Sequence, residues 1–183
     1  KRYNIRIVGP NVLGVIDTIG KMNASFAVGM PRRGRIAFMS QSGALCTSIL
    51  DMALAQKVGF SRFVSLGNKA DLNELDFIEA WGDDPESRVI MGYLEGIVNG
   101  ARFMEITRRV TKTKPMIAVK SGTTSAGSRA VSSHTGTLAG SEKAYGSAFN
   151  QAGVIRANSV QDLFDYSVAF ARQPLPKGGG IAI

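Results

Sequence analysis

Short apolar runs recur along the chain, each followed by a turn and then by a segment whose apolar residues fall at helical spacing. Arg35–Met39 has strand character, and Ser40-Gln41-Ser42-Gly43 follows it. From Ala44 to Val58, Leu45, Ile49, Met52, Ala53 and Gln56 recur at intervals of three and four, which predicts a helix stopped by Gly59. Phe63–Leu66 is a second strand before the turn Gly67-Asn68, and Glu74–Trp81 a helix ended by Gly82-Asp83-Asp84-Pro85. Val89–Leu94 is a third strand. It is followed by Glu95-Gly96 and a helix over Ala101–Thr111, which Lys114-Pro115 breaks. Met116–Val119 is a fourth strand, Glu142–Gln151 a helix, Val154-Ile155 a fifth strand and Val160–Ala171 a last amphipathic helix.

Five strands alternating with helices predict an α/β fold, a doubly wound parallel sheet covered on both faces. The count fits the flavodoxin-like strand order 2-1-3-4-5. Right-handed crossovers then bring every β–α loop to the carboxyl edge of the sheet. Strands one and three are neighbours at the switch point, and strand four lies beside strand three. Three loops should therefore converge: Ser40–Gly43, Glu95–Gly96 and Ser121–Ser141. The last holds 14 Gly, Ser or Thr among 21 residues, far more than an ordinary β–α connection needs.

Composition removes several classes of chemistry. One cysteine excludes a disulfide framework or a Cys-rich zinc site, and one histidine excludes a His-pair metal motif. No uncharged apolar stretch approaches the ~18 residues of a membrane span, and no secretory leader is legible at Lys1. No membrane association is expected, and a cytoplasmic location is the default. The chain carries 22 basic and 14 acidic residues, a formal +8 that favours an anionic partner. Those residues are scattered, as in Arg32-Arg33-Gly34-Arg35, with no stripe interleaved with aromatics, so nucleic acid is not expected. Gly122–Arg129 spaces its glycines like a Walker A loop but ends in Ser-Arg where Lys-Ser/Thr is needed. There is no G-x-S-x-G elbow. Cys46 falls on the helix after Ser42, where burial is the expected fate.

The converging loops carry the parts of a phosphoryl-transfer site. The histidine, His134, sits in Ser132-Ser133-His134-Thr135-Gly136 without apolar periodicity around it. An isolated histidine is more often a surface or core residue, but this one lies at the predicted ligand edge. Glu95 ends the adjacent strand and is either a solvated carboxylate or a partner for one imidazole nitrogen. That pairing would fix the tautomer and leave the other nitrogen nucleophilic. Ser42, Gly43 and Ala44 open a helix directly after a strand, where free N–H groups and roughly half a positive charge gather. Ser42 caps that helix, donates to a phosphate, or does both. Asp71 and Asp76, after the second strand, either line the site or, as is the more usual fate, serve in helix capping and surface solvation.

The segments GPNVLGV (Gly9–Val15), RIAFMSQSGAL (Arg35–Leu45), SLGNKADLNELDFIEAWGDDP (Ser65–Pro85), YLEG (Tyr93–Gly96) and SSHTGTLAGSEKAYGSAFNQAGVI (Ser132–Ile155) run in order over nearly the whole chain. As an ordered set they resemble the nucleoside-diphosphate-forming acyl-CoA synthetases, relatives of the succinyl-CoA synthetase alpha subunit. The resemblance implies a succinyl-CoA ligase-like domain and the reaction acyl-CoA + ADP (or GDP) + phosphate ⇌ carboxylic acid + CoA + ATP (or GTP). It implies that His134 is phosphorylated and oriented by Glu95, that Ser42, Gly43 and Ala44 hold phosphate, and that Asn11 lies near the thioester end of coenzyme A. Many relatives carry Cys where this chain has Val12.

It further implies that residues 1–24 are the tail of a CoA-binding Rossmann-like domain, residues 30–173 the succinyl-CoA ligase-like domain, and residues 174–183 a linker with the first strand of another domain. An ATP-grasp domain or subunit would supply the nucleotide and Mg2+ site, within an oligomer acting on a small acyl substrate. This piece alone would be inactive. A different outcome within the superfamily is an acyl-CoA-sensing module that regulates a protein lysine acetyltransferase, in which the histidine is expected to be lost.

Overall fold

The computed structural model describes residues 3–122, 142–176 and 178. Seven strands and five helices follow in the order β1 (Gly14–Asp17), β2 (Met22–Ser25), β3 (Arg33–Ser40), α1 (Gly43–Ala55), β4 (Phe60–Ser65), α2 (Glu74–Asp83), β5 (Val89–Leu94), α3 (Gly100–Val110), β6 (Met116–Lys120), α4 (Glu142–Gln151), β7 (Ile155–Arg156) and α5 (Val160–Arg172). One sheet has the order β2-β1-β4-β3-β5-β6-β7. Its parallel part, β4-β3-β5-β6-β7, is the expected 2-1-3-4-5 arrangement. The expected strand at Gly180–Ile183 lies outside the described residues.

Strand periodicity splits the core. On β3, Ile36 and Phe38 face one side while Ala37 and Met39 face the other. On β5, Val89 and Met91 oppose Ile90, and on β6, Ile117 and Val119 oppose Met116 and Ala118. One layer closes against α1 and α5 through Cys46, Ile49, Leu50, Leu163 and Phe164. The other closes against α2, α3 and α4 through Leu75, Ile78, Trp81, Phe103 and Phe149. Phe38, Phe60 and Phe63 pack with ring centroids 4.8 to 6.1 Å apart and fill the first layer beneath β3 and β4.

Two departures from the sequence pattern have physical reasons. The sheet gains a hairpin, β1-β2, running antiparallel to β4. Its strands are four residues long and β2 is mostly exposed, so neither carries an apolar alternation. Ile16 docks the hairpin by entering the first core layer fully buried, and polar ties add to it: Arg62 Nη1 donates to Asp17 Oδ1 at 2.7 Å, and Thr18 Oγ1 donates to the Phe60 carbonyl at 2.6 Å. The second difference is that β4 begins at Phe60 rather than Phe63. Ser61 and Arg62 interrupt the apolar run, yet Ser61 is buried against Ser87 with their hydroxyls 2.8 Å apart.

Candidate functional site

The α1 turn is built from its own sequence. Ser40 ends β3, and its hydroxyl accepts from the Ser42 amide at 3.0 Å and donates to the Ser42 carbonyl at 2.8 Å, closing the chain into a tight bend. Ser42 is the N-cap of α1, accepting from the Leu45 amide at 3.3 Å. The Gly43 and Ala44 amides have no acceptor among the described residues, and Ala44 is exposed. Two free donors at a helix start are what an anion requires there.

The segment Gly9–Asn11 reaches this turn from the N-terminal side. The Asn68 amide donates to the Pro10 carbonyl and the Ala70 amide to the Gly9 carbonyl, both at 2.9 Å. Gly67 makes that approach possible. Its φ is +54°, and a Cβ there would lie 2.2 Å from the Pro10 carbonyl oxygen. A cavity of about 430 Å³ results, lined by Asn11, Ser42, Gly43 and Ala44 together with Phe26 and Thr47. Four residues predicted from two distant segments thus share one pocket.

Glu95 follows β5 and is half-buried, and its carboxylate has no hydrogen-bond partner among the described residues. Its backbone is tied to the α1 turn. Gln41 Oε1 accepts from the Glu95 amide at 2.8 Å and from the Gly96 amide at 2.9 Å. Behind this turn lies an ion pair: Lys69 Nζ donates to Glu74 Oε2 at 3.0 Å, with Glu74 fully buried and the Lys69 side chain 15% exposed. The spacing of the motifs does not point to Gln41, Lys69 or Glu74. Glu74 reads as an ordinary acid in a helix's first turn, and the three meet only through tertiary packing.

The third loop begins at the same edge, where the Ser121 amide donates to the Leu94 carbonyl at 2.9 Å. His134 itself, with residues 123–141, lies outside the described residues. Lys120 closes β6 beside that start. Its ammonium lies 4.6 Å from the centre of the Tyr145 ring and donates to the Ser121 carbonyl. Burial lowers its pKa, against the opposing fields of Glu142 and Glu95.

The remaining candidates are structural. Cys46 is fully buried, and burial pushes its thiol up to about 11, so it is no thiolate nucleophile at neutral pH. Asp76 accepts from the Asn73 amide at 2.9 Å in a capping box, and Asp71 pairs with Arg6 at 3.0 Å. Among the described residues no three His, Cys, Asp or Glu side chains gather where a metal ion could sit. Nor is any helix among them long and apolar enough to cross a membrane.

Comparison with known proteins agrees with this architecture. The chain is 46% identical over its whole length to the alpha subunit of the ADP-forming acetate–CoA ligase II of Pyrococcus furiosus, and covers 39% of it. It is also 46% identical over its whole length to the ADP-forming acetate–CoA ligase I of Archaeoglobus fulgidus, and covers 26% of that protein. The dinucleotide forming acetyl-coenzyme A synthetase 1 of Ca. Korarchaeum cryptofilum, solved in complex with phosphate and ADP, superposes with a TM-score of 0.92 at 42% identity. That likeness covers 97% of this chain and 39% of the solved one. The chain therefore spans about two fifths or less of the length of these relatives. Residues 33–170 match the family described as succinyl-CoA ligase like flavodoxin domain. With that match, and with the doubly wound sheet, the chain belongs to the succinyl-CoA ligase like flavodoxin domain family.

Proposed function

We propose that this chain is part of a cytoplasmic nucleoside-diphosphate-forming acyl-CoA synthetase, interconverting acyl-CoA, ADP (or GDP) and phosphate with carboxylic acid, CoA and ATP (or GTP). The observation that carries the reading is the single cavity where Asn11 meets Ser42, Gly43 and Ala44, with the Glu95 turn bonded to Gln41 at its rim. Phosphate held on the Gly43 and Ala44 amides attacks the thioester carbonyl, and the CoA sulfur leaves with the C–S bonding pair. The acyl phosphate then loses its phosphoryl group to one ring nitrogen of His134, releasing the carboxylate. Glu95 accepts a hydrogen bond from the other ring nitrogen and stabilises the positive charge that develops on the ring. The phosphorylated histidine delivers the group to the nucleoside diphosphate on an ATP-grasp domain or subunit. Asn11 lies toward the thioester end of CoA, which a preceding domain ending near residue 24 binds. Residues 30–173 form the phosphoryl-transfer domain, and residues 174–183 lead into the next one.

Names of the relatives support the activity: both curated ligases are ADP-forming, and the solved synthetase is described with phosphate and ADP. The test uses the full-length protein with its ATP-grasp component and ATP labelled at the γ-phosphate. Acid-labile, base-stable label should form and vanish in His134→Ala. Label that survives this substitution overturns the assignment. Absence of label together with acyl-CoA binding would favour the sensing module instead.

A further inference from the structure

We propose that Gln41 is a positioning residue for the Glu95 carboxylate, binding the strand-end turn that carries it to the same bend that opens the anion-facing helix. The inference rests on the function proposed for Glu95 and His134.

Every hydrogen-bonding position of the Gln41 side chain is used. Oε1 accepts from the Glu95 amide at 2.8 Å and the Gly96 amide at 2.9 Å. Nε2 donates to the Gly96 carbonyl at 2.8 Å and, more weakly, to Glu74 Oε2 at 3.4 Å. A carboxamide has two acceptor sites and two donors, so this one is saturated, and its orientation is fixed by what it meets. The Gln41 amide in turn donates to the Tyr93 carbonyl at 3.1 Å, so backbone and side chain grip β5 and its exit together. From the far side, Lys69 Nζ donates to the Gly96 carbonyl at 3.0 Å, and Glu74 Oε1 accepts from the Val98 amide at 2.7 Å.

The turn from Glu95 to Val98 is thus held from the exits of β3 and β4 and from the first turn of α2. The Glu95 carboxylate alone is left free among the described residues. A turn gripped at its amides and free at one carboxylate is what a group must be if it is to meet an incoming ring in one orientation.

Other side chains do less. Glutamate would accept both amides but could not donate to the Gly96 carbonyl, and would set a second carboxylate against Glu74. Leucine fills the volume and strands both amides. Asparagine keeps the amide but withdraws it by one methylene.

The test uses the full-length protein with its ATP-grasp component. It follows the rate at which γ-labelled ATP phosphorylates the enzyme in wild type, Gln41→Leu, Glu95→Gln and the double variant. Gln41→Leu should slow phosphorylation roughly tenfold or more, within the range that a positioned acid–base group supplies. The KM for ATP, which binds on another component, should stay within about twofold. The double variant should be no slower than Glu95→Gln alone, because the first substitution acts only through the second residue. Exchange of the Glu95 and Gly96 amides should quicken in Gln41→Leu while the amides of β3 and β5 stay protected. If Gln41→Leu does not fold, Gln41→Asn carries the same comparison. Additive losses in the double variant, or a Gln41→Leu enzyme as fast as wild type, overturn the positioning role. Failure of the wild type to label His134 overturns the functional reading instead, so the two failures are distinguishable.

Discussion

Truncating Glu74 separates the cost of a broken buried ion pair from that of lost packing. Glu74 is fully buried and Lys69 lies 3.0 Å away, itself mostly shielded. At that distance the screened attraction is about 5 kcal/mol for an effective dielectric of ~20, and desolvation of both groups offsets most of it. The net worth of the pair is therefore small, but the cost of removing one partner is not. Glu74→Ala leaves the Lys69 ammonium held only by the Gly96 carbonyl, and such an orphaned charge costs about 3–5 kcal/mol. At ~1.4 kcal/mol per decade, local opening should become roughly 10²- to 4 × 10³-fold more frequent, up to the limit set by global unfolding. The Glu95 and Gly96 amides report it, because both donate to Gln41 Oε1, and Gln41 loses only its weaker contact, to Glu74 Oε2 at 3.4 Å. Hydrogen exchange on the full-length protein should show the acceleration in Glu74→Ala and in Lys69→Met. In Lys69→Met with Glu74→Leu, which removes both charges and keeps the volume, most of the protection should return. A double variant that exchanges as fast as Glu74→Ala would refute the charge argument and leave packing as the cause.

Three further outcomes are expected. The Cys46 thiol keeps its proton to about 11 when folded, whereas an unfolded thiol releases it near 9.0, so its contribution is full below pH 9 and is lost as pH rises toward 11. Two pH units cap that loss at about 2.7 kcal/mol, read as a fall in denaturation midpoint that Cys46→Ala should abolish. Gly67→Ala should cost on the order of 1–2 kcal/mol through its left-handed φ, and the clash should push Gly9–Asn11 away. Faster exchange of the Asn68 and Ala70 amides would mark the displacement, and unchanged exchange would contradict it. The hydrogen bond from Arg6 lowers the Asp71 pKa below 3.8, so the tie to the N-terminal segment is complete above that pH and lost as pH falls through the lower folded value. The difference in melting temperature between wild type and Asp71→Asn should accordingly narrow as pH falls below 3.8; a gap that stays constant would exclude the carboxylate charge as its origin.

What the sequence discloses follows the strength of its periodic signal. β5 is delimited to the residue because it is a continuous apolar run between polar flanks, and the polar α4 also keeps its expected bounds. The hairpin is hidden, because Gly14–Asp17 and Met22–Ser25 are four residues each and only Ile16 among them is fully buried, too little for a periodic signal, with Arg62 and Thr18 adding polar ties. Ser42, Gly43 and Ala44 are legible because a strand running into a glycine-bearing helix start is a local pattern. Asn11 needs the family motif, since nothing near it in sequence signals that Gly67 lets its segment approach α1. Gln41, Lys69 and Glu74 are legible by neither route. Each is a polar residue in a polar stretch, and their meaning arises from three strand exits brought together by the sheet order.

The distribution of charge bears on how such a site can work. The sequence carries a formal +8, yet among the described residues those lining the cavity at the α1 turn, Asn11 to Leu13, Phe26, Gln41 to Ala44 and Thr47, are all uncharged. The basic surplus therefore does not mark the cavity, and an argument from net charge alone would have looked elsewhere. A lysine or arginine inside it would bind a phosphate strongly in both its free and its transferring states, which lowers KM without lowering the barrier. Neutral amides on a fixed helix start bind more weakly. On the proposed function they would need no reorganisation as charge shifts from phosphate to acyl phosphate and then to imidazole. An intermediate formed here and surrendered to a second centre, as that function requires, would be served better by weak and rigid binding. An added cation at Thr47 should accordingly lower the KM for phosphate while slowing turnover, and a Thr47→Lys enzyme with both constants improved would show that binding strength, not release, limits this site.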